Sequence, residues 1–230
     1  KPMLKKCFML FALPAVLLLF STCKKDPVVG DLRMALTFDD GPDSVYTVRI
    51  LDILKQKNVK ATFFVTGHHA ELYPSVIRRI QNEGHLIGNH TFTHLYLPGA
   101  STTAMVDEVE RTQYFINTYS AAPSSWLFRP PYGFISKEQK HQLEIRGYRV
   151  VIWDIDPLDY DLSRSSPAAI ADRVLLLRGN NKVVLMHSAD YSDLGSRENT
   201  VLALPRIIDE LRDKYHYRFV TMDQIPADPH

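Results

Sequence analysis

Residues 32–42 have the sequence LRMALTFDDGP, an apolar segment that ends abruptly in two carboxylates and a Gly-Pro turn. Residues 32–38 do not alternate between apolar and polar side chains, which is typical of a strand buried on both faces. Asp39 and Asp40 on their own would suit an ordinary turn. Two carboxylates crowded at a strand end repel each other, however, unless a cation lies beside them.

Six further strand-like segments follow, and helical segments lie between them. Strands are predicted at residues 32–38, 61–66, 85–88, 125–128, 148–153, 182–186 and 217–221, and helices at 45–57, 71–83, 102–119, 137–146, 168–178 and 198–214. Gly84, Gly147 and Gly179 follow three of these helices, where we expect left-handed caps. Alternating strands and helices predict a parallel α/β sheet, either closed into a barrel or open and doubly wound.

Composition limits the classes of protein. The chain has 230 residues, of which 45% are hydrophobic and 23% charged. This composition suits one sizeable globular domain, and we assign it to residues 32–226. The formal net charge is +1, so no strong field indicates a nucleic-acid partner. We expect a monomer.

The N-terminal residues predict export. Lys5 and Lys6 precede an apolar run at 7–20, which is too short for a spanning helix, and small residues then lead to Cys23. Residues 19–23 (LFSTC) resemble the lipobox of bacterial lipoproteins. We therefore expect a signal peptide at 1–22 and a lipid-bearing tether at 23–31, anchored to a bacterial membrane on its periplasmic face or at the cell surface. A plain signal peptide with an incidental cysteine is the alternative.

Polar residues cluster where five of the predicted strands end. The clusters are residues 39–42, 89–94, 129–133, 154–159 and 187. Parallel α/β proteins build their active sites at the C-terminal ends of the strands. The sequence therefore predicts one active site at this edge.

His90 and His94 predict a metal site. Histidines four residues apart project from one face of a helical turn, close enough to hold one divalent ion. A carboxylate from another strand end would complete three protein ligands and leave positions open for water and substrate. That arrangement is typical of catalytic metal sites.

Five motifs resemble those of one family. Residues 37–42 (TFDDGP), 90–94 (HTFTH), 129–133 (RPPYG), 156–160 (DPLDY) and 185–187 (LMH) occur in the order found in NodB-like polysaccharide deacetylases, carbohydrate esterase family 4. The resemblance implies a distorted (β/α)7 barrel similar to a TIM barrel. It also implies a metal-dependent hydrolase that acts on a polysaccharide.

The resemblance also implies roles for individual residues. Asp39 would be the general base, and Asp40, His90 and His94 would hold one divalent ion, most often Zn²⁺, with Co²⁺ or Ni²⁺ as alternatives. The other implied residues position catalytic groups or bind substrate. They are Arg129 beside Asp39, Asp159 beside the general acid His187, the Tyr132 N–H at the oxyanion, and Pro131, Tyr160 and Leu185 around the substrate.

The implied reaction removes N-acetyl groups from N-acetylhexosamine units of a peptidoglycan-like or chitin-like polysaccharide and releases acetate. O-deacetylation of acetylated xylan is one alternative, and a non-catalytic, glycan-binding surface lipoprotein is another. Gly88-Asn89-His90 also occurs in dinuclear metallophosphoesterases, but Thr91 stands where they require an acidic residue.

Overall fold

Seven parallel strands form the centre of the molecule, for which a computed structural model describes residues 32–120, 125–192 and 195–226. The strands are β1 (Arg33–Asp39), β2 (Thr62–Val65), β3 (Leu86–Asn89), β4 (Leu127–Phe128), β5 (Arg149–Val150), β6 (Lys182–His187) and β7 (Arg218–Phe219). Each lies within one of the seven predicted strand regions or extends it by one residue.

The sheet curls into a distorted barrel. Its strand order is β5-β4-β3-β2-β1-β6, and β7 pairs with the first residues of β1. Ile155, which follows β5, forms a bridge with Val184 in β6, and its carbonyl accepts a hydrogen bond from Leu185 N at 2.9 Å. This contact joins the two ends of the sheet. The closed alternative that the sequence left open is therefore correct, and the predicted (β/α)7 barrel is confirmed.

Helices cover the outside of the strands. They are α1 (Tyr46–Gln56), α2 (Gly67–Leu72), α3 (Pro74–Asn82), α4 (Thr102–Tyr119), α5 (Lys137–Glu144), α6 (Pro167–Leu177) and α7 (Glu198–Asp209), the last continued by a π-helical turn (Glu210–Lys214). Among the residues described, no helix combines the length and the apolar character needed to cross a membrane.

Two local predictions were wrong. The helix predicted at 71–83 is interrupted: α2 starts earlier and ends at Leu72, and α3 begins at Pro74, which has no N–H to continue α2. Gly84 and Gly147 have positive φ angles, as expected, but Gly179 does not. After α6 the backbone becomes extended at Arg178 (φ −54°, ψ 146°), so no left-handed cap forms there.

The alternation of β1 separates the core from the site. Leu36 and Phe38 pack against the surrounding helices, whereas Ala35 belongs to a smaller apolar cluster inside the barrel. Because side chains alternate along a strand, Thr37 and Asp39 share the inner face with Ala35. The barrel therefore directs the first carboxylate of the Asp39-Asp40 pair into its interior.

Candidate active site

Asp39 and Asp40 are both buried, with 2% and 3% of their surfaces exposed. Strand alternation alone would send the two side chains to opposite faces. Asp40 instead has φ 71°, which ends the strand in a left-handed conformation. Both carboxylates consequently approach His90 Nε2, at 3.7 Å from Asp39 Oδ2 and 3.5 Å from Asp40 Oδ1.

Arg129 neutralises one of these carboxylates. Its Nη1 donates hydrogen bonds to Asp39 Oδ1 and to Thr37 Oγ1, both at 2.7 Å, and the guanidinium lies 4.0 Å from the centre of the Phe64 ring. Burial raises the pKa of Asp39 above its ordinary value, and the Arg129 charge limits that rise. The predicted positioning contact between Arg129 and Asp39 is present.

Asp40, His90 and His94 bring together three atoms of the kinds that bind metal ions. Asp40 Oδ1 lies 3.5 Å from His90 Nε2 and 3.4 Å from His94 Nε2, and the three atoms fall within 4.8 Å of one another. His90 Nδ1 donates to the carbonyl oxygen of Arg129 at 2.7 Å, which leaves its Nε2 with a free lone pair. Burial lowers the pKa of both histidines to about 3, so the imidazoles are neutral.

The same three residues fit a divalent ion. Burial, reinforced by the Asp39 charge, raises the pKa of Asp40 to about 7 despite the opposing charge of His187. Asp40 Oδ1 is buried and accepts no hydrogen bond from the residues described. A cation beside it would remove the cost of that buried, unpaired oxygen. One carboxylate and two imidazoles form a donor set suited to zinc, with positions left for water and substrate.

The histidines do not lie on a helical turn, and that part of the metal-site prediction was wrong. Residues 90–94 form an irregular loop in which Thr91 and His94 have φ angles of 64° and 60°. Asn89 stabilises the first bend, because its Oδ1 accepts from Thr91 N at 3.0 Å while its Nδ2 donates to Val109 O at 2.8 Å. The two imidazole centres are nevertheless only 5.0 Å apart.

His187 and the buried Asp159 form a second pair. His187 Nδ1 donates to Asp159 Oδ1 at 2.7 Å, and Asp159 Oδ2 accepts from His187 N at 2.8 Å and from Thr200 Oγ1 at 2.7 Å. Burial by itself would lower the pKa of His187, but the Asp159 carboxylate outweighs it and raises the pKa to about 9. The imidazole therefore keeps its proton at neutral pH, as the proposed acid must.

The predicted substrate residues surround this centre. Tyr132 and Tyr160 are each 47% exposed; Tyr132 packs edge-on against His94, and Tyr160 against His187. Pro131 is buried and begins the turn in which Tyr132 has φ 59°. Leu185 is buried and pairs in register with Thr37, so it shares the inner face of the barrel.

Three contacts were missed by the sequence analysis. His69, in the part of α2 that precedes the predicted helix, donates from Nδ1 to the carbonyl oxygen of Asp40 at 2.6 Å. Thr200 supports Asp159 from α7. Tyr191 stacks on His94 with ring centres 4.2 Å apart and an angle of 15° between the planes. No spacing in one sequence distinguishes these residues, because each lies far along the chain from its partner.

An α/β barrel with paired carboxylates, a metal-binding trio and a protonated histidine at its strand ends has the organisation of a metal-dependent hydrolase. A family model described as polysaccharide deacetylase matches residues 28–151. The chain belongs to this family of hydrolases, so the resemblance seen in the five motifs is confirmed.

Relatives and solved structures agree with this family assignment. A peptidoglycan-N-acetylglucosamine deacetylase of Bacillus cereus is 39% identical over 190 residues, covering 83% of this chain and 66% of that protein. A chitooligosaccharide deacetylase of Sinorhizobium fredii is 35% identical over 191 residues, covering 80% and 88%. The structure of peptidoglycan deacetylase PdaC from Bacillus subtilis superposes with a TM-score of 0.75 at 33% identity, covering 85% of this chain and 90% of that one.

The His187 pair generates the first prediction. In Asp159→Asn the largely buried imidazole loses the carboxylate that does most to raise its pKa, so the pKa of His187 falls below its value of about 9. A proton donor works only below its pKa, so we expect the alkaline limb of the kcat/KM profile to move to lower pH.

The pH profile of kcat/KM and an NMR titration of the His187 ring measure this change. Asp156→Asn is the matched control, because Asp156 lies in the same loop but bonds to Leu158 N and the Tyr160 hydroxyl. An alkaline limb that stays in place in Asp159→Asn would show that this pair does not supply the proton.

Proposed function

We propose that the chain hydrolyses the N-acetyl groups of N-acetylhexosamine units in a peptidoglycan-like or chitin-like polysaccharide and releases acetate. One observation carries the proposal: the Asp39 carboxylate and a histidine whose pKa is raised, His187, adjoin an Asp-His-His trio. An amide is a weak electrophile with a poor leaving group, so its hydrolysis benefits from both a base and an acid. The peptidoglycan and chitooligosaccharide deacetylases among the relatives support this choice of substrate.

Asp39 accepts a proton from the attacking water in this scheme. Arg129 holds the carboxylate by its 2.7 Å hydrogen bond, so Asp39 Oδ2 remains for the water. Asp40, His90 and His94 would hold a divalent ion, which we propose to be zinc. When bound, it would polarise the acetyl carbonyl and acidify water. The Tyr132 N–H donates to the developing oxyanion.

His187 completes the reaction. As the C–N bond breaks, its protonated imidazole gives a proton to the departing nitrogen, and Asp159 stabilises the positive charge before transfer. The products are acetate and a free amino sugar. Pro131, Tyr132, Tyr160 and Leu185 form the surroundings of the sugar and its acetyl group in this scheme.

Acetate release from purified peptidoglycan, N-acetylated chitooligosaccharides and acetylated xylan tests the proposal. We expect acetate release from the first two substrates. An Asp39→Asn variant should lower kcat by roughly 10²–10⁴-fold, the range typical of one acid–base group. Release from xylan alone would replace the proposal with O-deacetylation. Binding of glycans without release by the metal-loaded parent protein would favour a non-catalytic role.

We also propose that the protein is exported and anchored to a bacterial membrane through a lipid on Cys23. The support is the apolar run and the lipobox-like residues 19–23, which lie outside the described residues. Mass spectrometry of the mature N-terminus tests this. A lipid-modified N-terminal Cys23 is expected, and an unmodified terminus at another residue would contradict it.

A further inference from the structure

A pocket lies beside the metal-binding trio. Its lining residues are Thr66, His68, Phe92, Thr93, His94 and Tyr191, and its volume is about 230 Å³. We call it the side pocket. Of its six lining residues, only His94 belongs to the trio, so the side pocket extends away from the reacting centre.

The floor of the side pocket is tightly built. Gly67 N and His68 N, at the start of α2, donate to the carbonyl oxygens of Thr91 and Phe92 at 2.9 and 3.1 Å. A side chain at Gly67 would overlap the Phe92 ring, so only glycine permits this approach. The α2 segment and the 91–93 loop therefore form one rigid wall.

Glu108 also holds the 91–93 loop. Its Oε2 accepts from Phe92 N at 2.8 Å and Thr93 N at 2.7 Å, and its Oε1 accepts from Thr93 Oγ1 at 3.1 Å. The Arg111 guanidinium lies 3.5 Å from the centre of the Phe92 ring. These contacts hold Phe92 and Thr93 in place before any ligand arrives, which lowers the cost of binding.

Tyr191 forms the wall shared with the catalytic centre. It stacks on His94, and its hydroxyl lies 3.4 Å from that of Tyr132. Buried Arg197 holds the residues before Tyr191, donating from Nε to Ala189 O at 2.8 Å and from Nη2 to Asp190 Oδ2 at 3.1 Å. Asp190 Oδ1 in turn accepts from Ser192 N at 2.8 Å. Tyr191 is thus anchored on both sides, although 45% of it is exposed.

The chemistry of the lining indicates the ligand. Hydroxyl groups, an exposed imidazole and aromatic rings line the side pocket, and none of the six residues carries a carboxylate, an ammonium or a guanidinium group. A neutral ligand rich in hydroxyl groups fits such a surface. The volume of 230 Å³ is below the roughly 300–1,000 Å³ of pockets that enclose a whole small ligand, so the side pocket suits one part of a longer molecule.

We propose that the side pocket binds the sugar unit next to the one that loses its acetyl group, and that Tyr191 sets the preference for longer substrates. The inference rests on the proposed deacetylase function. A neighbouring unit bound here contributes binding energy away from the reacting bond, and such energy raises kcat/KM for longer chains.

The experiment compares kcat/KM for acetate release from the fully N-acetylated dimer and pentamer of glucosamine. We expect the pentamer-to-dimer ratio to fall by about 3- to 10-fold in Tyr191→Ala, the size expected for one aromatic contact. His68→Ala is expected to lower the ratio as well. His141→Ala, an exposed histidine in α5, is the matched control and should keep the parent ratio.

The ratio separates a subsite from damage to the metal site. If Tyr191 only supported His94, Tyr191→Ala would slow both substrates by the same factor, and the ratio would not change. If Tyr191→Ala and His68→Ala both keep the pentamer-to-dimer ratio of the parent protein, the inference is wrong.

Failure of the proposed function has a different signature. In that case the metal-loaded parent releases acetate from none of the substrates, and titration calorimetry with the pentamer then decides the inference. Tighter binding of the pentamer by the parent than by His68→Ala supports the side pocket, and equal binding contradicts it.

Discussion

The structure depends on the burial of two adjacent carboxylates, Asp39 and Asp40, at the end of a central parallel strand. An isolated buried charge is costly, so each carboxylate requires compensation. Arg129 compensates Asp39 with a 2.7 Å hydrogen bond. Asp40 faces two imidazoles that burial keeps neutral, and this arrangement leaves it in need of a cation.

The barrel delivers the compensating groups because the parallel strands end at the same edge. His90 follows β3, Arg129 follows β4, and His187 ends β6, so residues distant in sequence meet around the end of β1. Backbone carbonyls orient them further: Arg129 O accepts from His90, and Asp40 O accepts from His69. The fold and the candidate site therefore follow from one geometric fact, the common direction of the strands.

The strand regions and the parallel sheet follow from local patterns in the sequence, and the resemblance carried by the five motifs implies the barrel and the trio of Asp40, His90 and His94. The sequence does not predict how the 90–94 loop reaches its shape. That conformation depends on hydrogen bonds that the adjacent Asn89 and the more distant Glu108, in α4, accept from its backbone. The contacts of Tyr191 and Thr200 are not predicted either, because their partners His94 and Asp159 are distant in the sequence. The end of α2, in contrast, has a signal in the sequence, because Pro74 cannot continue that helix.

The most direct test of this account is a calorimetric titration of the metal-free protein with Zn²⁺. The account predicts that the parent protein binds one Zn²⁺ ion per chain. In Asp40→Asn, which loses a ligand itself, the Zn²⁺ affinity should fall by more than the roughly 10–100-fold typical of losing a group that only supports a ligand. Asparagine has nearly the same shape as aspartate but lacks its negative charge, so the variant removes the charge that attracts the metal ion and keeps the shape of the site. Equal Zn²⁺ affinity in the parent and in Asp40→Asn would contradict the account.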